Sequence, residues 1–122
     1  LKPYDAYTAL WLEIALRRGG AAVSDSDLLQ KLDTKEWPAP VIELYLGRST
    51  PETVAERARS ANPRLQRDQL CEANFYAAEW LLLNGRRTEA LPRMQFAADN
   101  CPTDFIERTP AMIELKALQA GG

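Results

Sequence analysis

The chain has 122 residues, of which 46% are hydrophobic and 26% are charged, and its formal net charge is −2. A domain of this size buries roughly two-thirds of its unfolded surface, which is enough for one continuous core. The slightly acidic balance argues against a nucleic-acid or anionic-membrane surface, and no apolar run approaches the ~20 residues that span a bilayer. We therefore expect a globular domain with neither a nucleic-acid partner nor a membrane span.

The first part of the chain has helical periodicity that glycines interrupt. Between positions 4 and 18, apolar side chains recur at intervals of three and four residues and so share one helix face; they are Tyr7, Leu10, Trp11 and Ile14. The glycine pair at 19–20 ends this helix, because glycine tolerates the left-handed turn that follows a helix. A second, shorter helix is predicted from Ser24 or Ser26 to Leu32, with its serine as the cap.

Prolines mark the beginnings of the next two predicted helices. Proline fits the first turn of a helix, so the segment Trp37-Pro38-Ala39-Pro40 predicts a third helix that runs to Leu46. Thr50-Pro51-Glu52 combines a capping hydroxyl, a proline and an acid, which is a typical start signal. The fourth helix is predicted to run from there to about Ser60.

Three further helices are predicted over about 64–83, 87–99 and 104–119, the last of them capped by Thr103 and Asp104. Connections this short make neighbouring helices antiparallel. The predicted fold is therefore all-α, with about seven helices that form antiparallel hairpins stacked in a superhelix. We expect a single domain over 1–122, with hairpins over about 4–32, 38–60 and 64–100 and a capping helix over 104–119.

The segment from Cys71 to Pro102 has nearly the length of the 34-residue tetratricopeptide (TPR) repeat. A TPR hairpin needs small residues where its helices cross, a break between them and a proline at the end. The residues that meet these needs are Ala78, Gly85, Ala90, Ala97 and Pro102. Asn74 departs from the pattern, because an aromatic residue is usual there. Pro92 lies inside the second helix and is expected to kink it or to delay its start.

Over nearly its whole length the chain resembles the later part of TPR-containing bacterial lipoproteins related to the NlpI family. The resemblance lies in Ala9-Leu10-Trp11-Leu12, Trp37-Pro38-Ala39-Pro40-Val41, Leu44-Tyr45-Leu46-Gly47, Cys71-Glu72-Ala73-Asn74-Phe75-Tyr76, Asp104-Phe105-Ile106-Glu107 and Glu114-Leu115-Lys116. It implies a periplasmic or envelope-associated scaffold that binds proteins or peptides, with no catalytic residues and no cofactor. A lipid anchor upstream of Leu1 is compatible with it. Two alternatives stay open: a cytoplasmic TPR co-chaperone or secretion chaperone, and a terminal fragment of a longer TPR array.

In TPR folds the first helix of each hairpin lines a concave groove. Carried onto this repeat, the resemblance gives Glu72, Phe75, Tyr76, Glu79, Leu82 and Leu83 as the partner-binding groove. Phe75 and Tyr76 are adjacent, so they point about 100° apart on a helix and cannot both face one core wall. Either one of them remains in the groove as an anchor, or the last helix covers both.

Cys71 and Cys101 lie near the matching ends of the predicted fifth and sixth helices. Packed helices lie ~8–10 Å apart, which lets side chains at such ends meet. A disulfide between them is predicted, and it would require an oxidising compartment such as the periplasm. The alternative is two separate reduced cysteines. Two cysteines with no histidine do not make a metal site, so none is expected.

The sequence contains no histidine and no glycine-rich phosphate loop, which removes the commonest general base and a common nucleotide site. Five helical glutamates stand among basic residues and are expected to be solvated helix-surface groups: Glu13, Glu43, Glu72, Glu79 and Glu114. We therefore expect no enzyme. A strongly raised carboxyl pKa inside a cleft would favour the catalytic alternative.

Overall fold

The computed structural model describes residues 6–20, 29 and 35–120, and within them the chain is all-α, as predicted. Six helices are described: α1 Ala6–Arg18, α2 Ala39–Tyr45, α3 Pro51–Arg57, α4 Pro63–Leu83, α5 Arg87–Asn100 and α6 Arg108–Ala120. The helix predicted from Ser24 or Ser26 to Leu32 lies outside the described residues, except for Leu29, which is helical and buried. None of the helices in the described part of the chain is long and apolar enough to cross a bilayer.

Side-chain caps begin α3 and α4. The hydroxyl of Thr50 accepts a hydrogen bond from the backbone N–H of Thr53 at 3.2 Å. The amide oxygen of Asn62 accepts from the N–H groups of Arg64 and Leu65 at 3.0 and 3.1 Å. Each cap satisfies backbone donors that have no partner within the helix, and a proline follows each cap at the first helical position.

Two glycines end α2 and α4 in the same way. Gly47 and Gly85 have φ angles of +80° and +73°, a conformation that other residues adopt only at a cost. Beyond Gly85, the N–H of Arg86 donates to the carbonyl of Leu81 at 2.8 Å, and the N–H of Arg48 donates to Glu43 at the same distance beyond Gly47. These bonds are the Schellman motif, which turns the chain back after a helix.

Helix α4 is the centre of the fold, because α1, α2, α3 and α5 all pack against it. The largest fully buried side chains include Tyr45 of α2, Leu10 of α1, and Phe75 and Tyr76 of α4. Full burial of one such side chain contributes about 1.5–3 kcal/mol. A single core therefore joins the elements on both sides of α4.

The α4–α5 pair is the most extensively packed hairpin, and α6 packs onto α5. The three small residues assigned to the helix crossing, Ala78, Ala90 and Ala97, are fully buried. Cys71 and Cys101 lie at disulfide distance at the end of the hairpin opposite its turn, with their Cα atoms 5.0 Å apart. Helices α4 and α5 are thus joined by the turn at Gly85 and pack closely on each other.

Prolines occupy different positions in the last two helices. Pro92 is retained inside α5, which still begins at Arg87. Helix α6 begins at Arg108, later than the predicted start near Asp104, because turns occupy the residues that follow Pro102. This start places Pro110 in the first turn, where its missing N–H breaks no helical hydrogen bond.

Candidate functional site

An open groove runs between α1 and α6, with residues of α4 as its floor; we call it the α1–α6 groove. It consists of two adjoining hollows of about 340 and 280 Å³ that share Arg18, Glu79 and Glu114. The wider hollow is also lined by Trp11, Ile14, Ala15, Thr109, Pro110 and Ile113. The narrower hollow adds Leu82, Leu83, Arg87, Ala117 and Leu118. Taken together, the walls of the α1–α6 groove are therefore mainly apolar, and few of its lining residues are charged.

The centre of the groove holds one cation between two carboxylates. Nη2 of Arg18 lies 2.5 Å from Oε1 of Glu79 and also contacts Oε1 of Glu114. The side chain of Arg18 is 48% exposed, that of Glu114 is 21% exposed and that of Glu79 only 3%. Burial raises the pKa of Glu79, and the hydrogen bond from Arg18 opposes that rise.

The wall that α1 contributes rests on aromatic contacts with α4. The ring of Trp11 lies 5.5 Å from that of Phe75 and 6.4 Å from that of Tyr76, between ring centroids. Tyr7 contacts Tyr76 at 6.4 Å. Such pairs add to the free energy that burial alone supplies. The aromatic cluster therefore fixes the position of α1 and, with it, one side of the groove.

The six residues predicted for a partner-binding groove lie in three different parts of the structure: the α1–α6 groove, the core and a smaller hollow. Glu79, Leu82 and Leu83 line it. Phe75 and Tyr76 are fully buried, and the side chains that cover them include Trp11 and Tyr7 of α1.

Glu72 lies away from the groove, beside a smaller hollow of about 240 Å³ that also involves Tyr7 and the turn before α6. Its Oε1 accepts hydrogen bonds from the hydroxyl of Tyr7 and from Nε1 of Trp37, both at 2.7 Å. Burial raises the pKa of Glu72, and these two hydrogen bonds oppose the rise. The carboxyl group is thus held by donors from two other parts of the chain.

Glu107 is a buried carboxyl group that the sequence analysis assigned to no site. It is buried, and its Oε2 accepts a hydrogen bond from the hydroxyl of Tyr76 at 2.9 Å. Burial raises its pKa. Burial, together with the charge and hydrogen bond of Glu107, raises the pKa of Tyr76 and keeps its hydroxyl protonated as the donor. Tyr76 therefore joins α4 to the turn before α6.

The expectation that the helical glutamates are solvated is wrong for Glu13 and Glu79, which are both buried. Each has an arginine partner on α1: Arg17 lies 2.5 Å from Glu13, and Arg18 lies 2.5 Å from Glu79. Glu43 is partly exposed, with 47% of its side chain accessible to solvent. These two buried carboxylates are therefore each paired with an arginine of α1, in keeping with the rule that buried charges are paired.

The walls of α1 and α6 are the part of the groove that the repeat pattern did not include. No protein-family model matches the sequence. Among the described residues there is no group of three or more side chains that could hold a metal ion. The α1–α6 groove is thus a mainly apolar surface depression with a charged centre.

Proposed function

We propose that the chain is a non-catalytic, protein-binding scaffold of the TPR type, whose α1–α6 groove receives a protein or peptide partner. The open groove carries the proposal, because apolar walls from two helices flank a polar centre. The apolar walls can hold an apolar anchor side chain of a peptide, and the charged centre between them adds electrostatic complementarity. The buried alanines and the Gly85 turn of the α4–α5 hairpin support the TPR assignment.

We further propose that Cys71 and Cys101 form a disulfide and that the chain works in the bacterial cell envelope. Their disulfide distance supports this, since disulfides persist in oxidising compartments. The alternative, a cytoplasmic co-chaperone or secretion chaperone, requires both thiols to stay reduced. Alkylation of the native protein, followed by intact-mass measurement, separates the two. Reaction only after reduction supports the envelope, whereas immediate reaction of both thiols supports the cytoplasm.

A catalytic alternative would rest on Glu79, because this carboxyl group lines the groove and burial raises its pKa. A general acid must give its proton to a substrate. Glu79 is instead held by the guanidinium of Arg18, an ion pair that favours the charged carboxylate. We therefore assign Glu79 to the structure of the groove and not to acid–base chemistry.

Two equally exposed isoleucines provide a matched test of the groove. Ile113 lies in its wall and is 63% exposed, while Ile106 lies in the turn before α6, outside the groove, and is 62% exposed. A photo-crosslinking amino acid at position 113, in the chain's own host cells, should give discrete protein adducts that position 106 does not give. The partner identified in this way should bind the purified wild-type chain and the Ile106→Asp variant, but not Ile113→Asp.

The same test separates the proposal from the reading in which the chain only terminates a longer TPR array. In that case both positions would give the same adducts, and Ile113→Asp would bind the partner as tightly as Ile106→Asp. Circular dichroism of both variants checks that each remains helical. Because both side chains are already exposed to water, we expect neither substitution to change the free energy of unfolding by more than about 0.5 kcal/mol.

A further inference from the structure

We propose that the partner segment in the α1–α6 groove carries a lysine or arginine next to an apolar side chain. This inference rests on the proposed function and specifies its ligand. It follows from the charges and exposed surfaces of the wider hollow, where α1 and α6 face each other.

The charges of the wider hollow are unbalanced. Of the residues that line it, Arg18 is the only cation, and Glu79 and Glu114 are the two anions. A single nitrogen, Nη2 of Arg18, donates hydrogen bonds to both carboxylates. One positive and two negative groups leave the wider hollow with a formal charge of −1. The other cation of the groove, Arg87, lines only the narrower hollow, where its Nη2 donates to the carbonyl oxygen of Leu118. A cationic ligand would therefore neutralise the wider hollow.

Glu114 is the carboxylate that an incoming cation can reach. It is the more exposed of the two, and Arg18 contacts only its Oε1. Its Oε2 accepts no hydrogen bond from the described part of the chain and is available to an ammonium or guanidinium group. An acidic ligand would instead meet Glu114 beside an arginine that two carboxylates already neutralise. Electrostatic complementarity therefore selects a basic group here.

The apolar part of the recognition surface lies directly beside this carboxylate. Ile113 precedes Glu114 in the sequence and is 63% exposed, and Pro110 lies one turn before it on α6. Trp11 and Ile14 form the opposite wall. A ligand that places an apolar side chain between these walls would bring its neighbouring residue to Glu114. The long aliphatic stem of lysine or arginine suits such a surface, because it packs on apolar groups while its head reaches the carboxylate.

The test uses a phage-displayed library of random peptides selected on the intact wild-type chain. We expect the enriched peptides to carry lysine or arginine adjacent to an aliphatic or aromatic residue. A synthetic enriched peptide should bind Glu114→Gln at least about tenfold more weakly than the wild type, because a charge-assisted hydrogen bond is lost. Its binding to wild type should weaken with added salt. Glu89→Gln, which alters an exposed, arginine-paired glutamate on α5, should bind normally.

A second arm needs no variant protein. Replacement of the basic residue of the peptide by glutamate should abolish binding to the wild-type chain. If enriched peptides lack basic residues, or if the glutamate version binds equally well, the inference is overturned. In that case, loss of binding in Ile113→Asp would still support the groove as the docking surface. If no peptide is enriched, or if Ile113→Asp binds as the wild type does, the proposed function fails as well.

Discussion

Helix α4 uses two different kinds of contact on its two sides. Towards α5 it packs through small residues, with Ala78, Ala90 and Ala97 fully buried. Towards α1 it packs through aromatic rings, beside which carboxylates accept hydrogen bonds from hydroxyl or guanidinium donors. The contact between α4 and α5 depends on side-chain volume, whereas the contact between α4 and α1 depends on hydrogen-bond and ion-pair partners. Substitutions that add atoms should therefore damage one side, and substitutions that remove a donor should damage the other.

The largest effect is expected from the cysteine pair that closes the α4–α5 side. Cys71→Ala with Cys101→Ala should lower the free energy of unfolding by about 3.5 kcal/mol in the chain-entropy description of a cross-link across 30 positions. Urea denaturation with and without a reductant measures this difference. The reductant should destabilise the wild type and leave the double variant unchanged. Identical wild-type curves under both conditions would show that no bridge contributes.

An added side chain should be the next most damaging change to the α4–α5 side. Ala90→Leu or Ala97→Leu should overpack the helix crossing and cost about 1–3 kcal/mol, because both alanines are fully buried. Ala117→Leu on α6 is the matched control, since Ala117 is exposed, and should change stability by less than about 0.5 kcal/mol. Thermal melts followed by circular dichroism measure all three. An unchanged melt for both buried variants would rule out the repeat register assigned to this hairpin.

Loss of a donor tests the polar contacts of α4. Tyr76→Phe should cost about 1–2 kcal/mol, because it leaves the buried Glu107 without its 2.9 Å hydrogen bond from Tyr76. Tyr7→Phe should cost less, because Glu72 still accepts from Trp37. Chemical denaturation of the two variants gives the comparison. Equal losses would mean that the number of donors on each carboxylate does not decide the cost.

The smallest effect at neutral pH is expected from Glu107→Gln, which keeps an oxygen for Tyr76 and removes a buried charge. Burial raises the pKa of Glu107 above its usual value of 4.5, so the folded chain holds this proton more tightly than the unfolded chain. Its contribution to stability is present below about pH 4.5 and is lost as the pH rises through the folded-state pKa. As the pH rises from 4.5 to 7.5, the free energy of unfolding of Glu107→Gln should therefore fall less than that of the wild type.

Thermal melts from pH 4.5 to 7.5 measure that slope. Some slope should remain in Glu107→Gln, because burial also raises the pKa of Glu72 and Glu79. Glu89→Gln should not reduce the slope, because the hydrogen bond from Arg86 lowers the pKa of Glu89. A wild-type slope that Glu107→Gln leaves intact would contradict the assigned role of burial.

The elements that the sequence predicts well are those whose causes are local. Thr50 begins α3 and Gly85 ends α4 through hydrogen bonds that span only a few residues. The α4–α5 hairpin has local causes too, because its alanines and its turn lie within one continuous segment of the sequence. Such features follow from neighbouring residues alone, and a periodic pattern is enough to place them.

The groove could not be predicted in the same way, because its parts are far apart in the sequence. Arg18 meets Glu79 across 61 positions and Glu114 across 96. The repeat pattern placed Phe75 and Tyr76 at the groove because it contains no information about α1, which packs on them. The same distance explains why Glu13 and Glu79 were expected to be solvated, since burial depends on partners that helical periodicity does not reveal.

The position of the cysteine pair has a consequence for how the chain responds to cleavage. Cys71 and Cys101 lie at the end of the hairpin opposite Gly85, and the chain is exposed from Asn84 to Glu89. If the two cysteines are bonded as proposed, a protease that cuts in this turn would produce two fragments that the disulfide holds together. The nicked protein would then keep its full apparent mass on a gel until it is reduced. Because the turn is exposed, it is also where an inserted label or epitope should be tolerated.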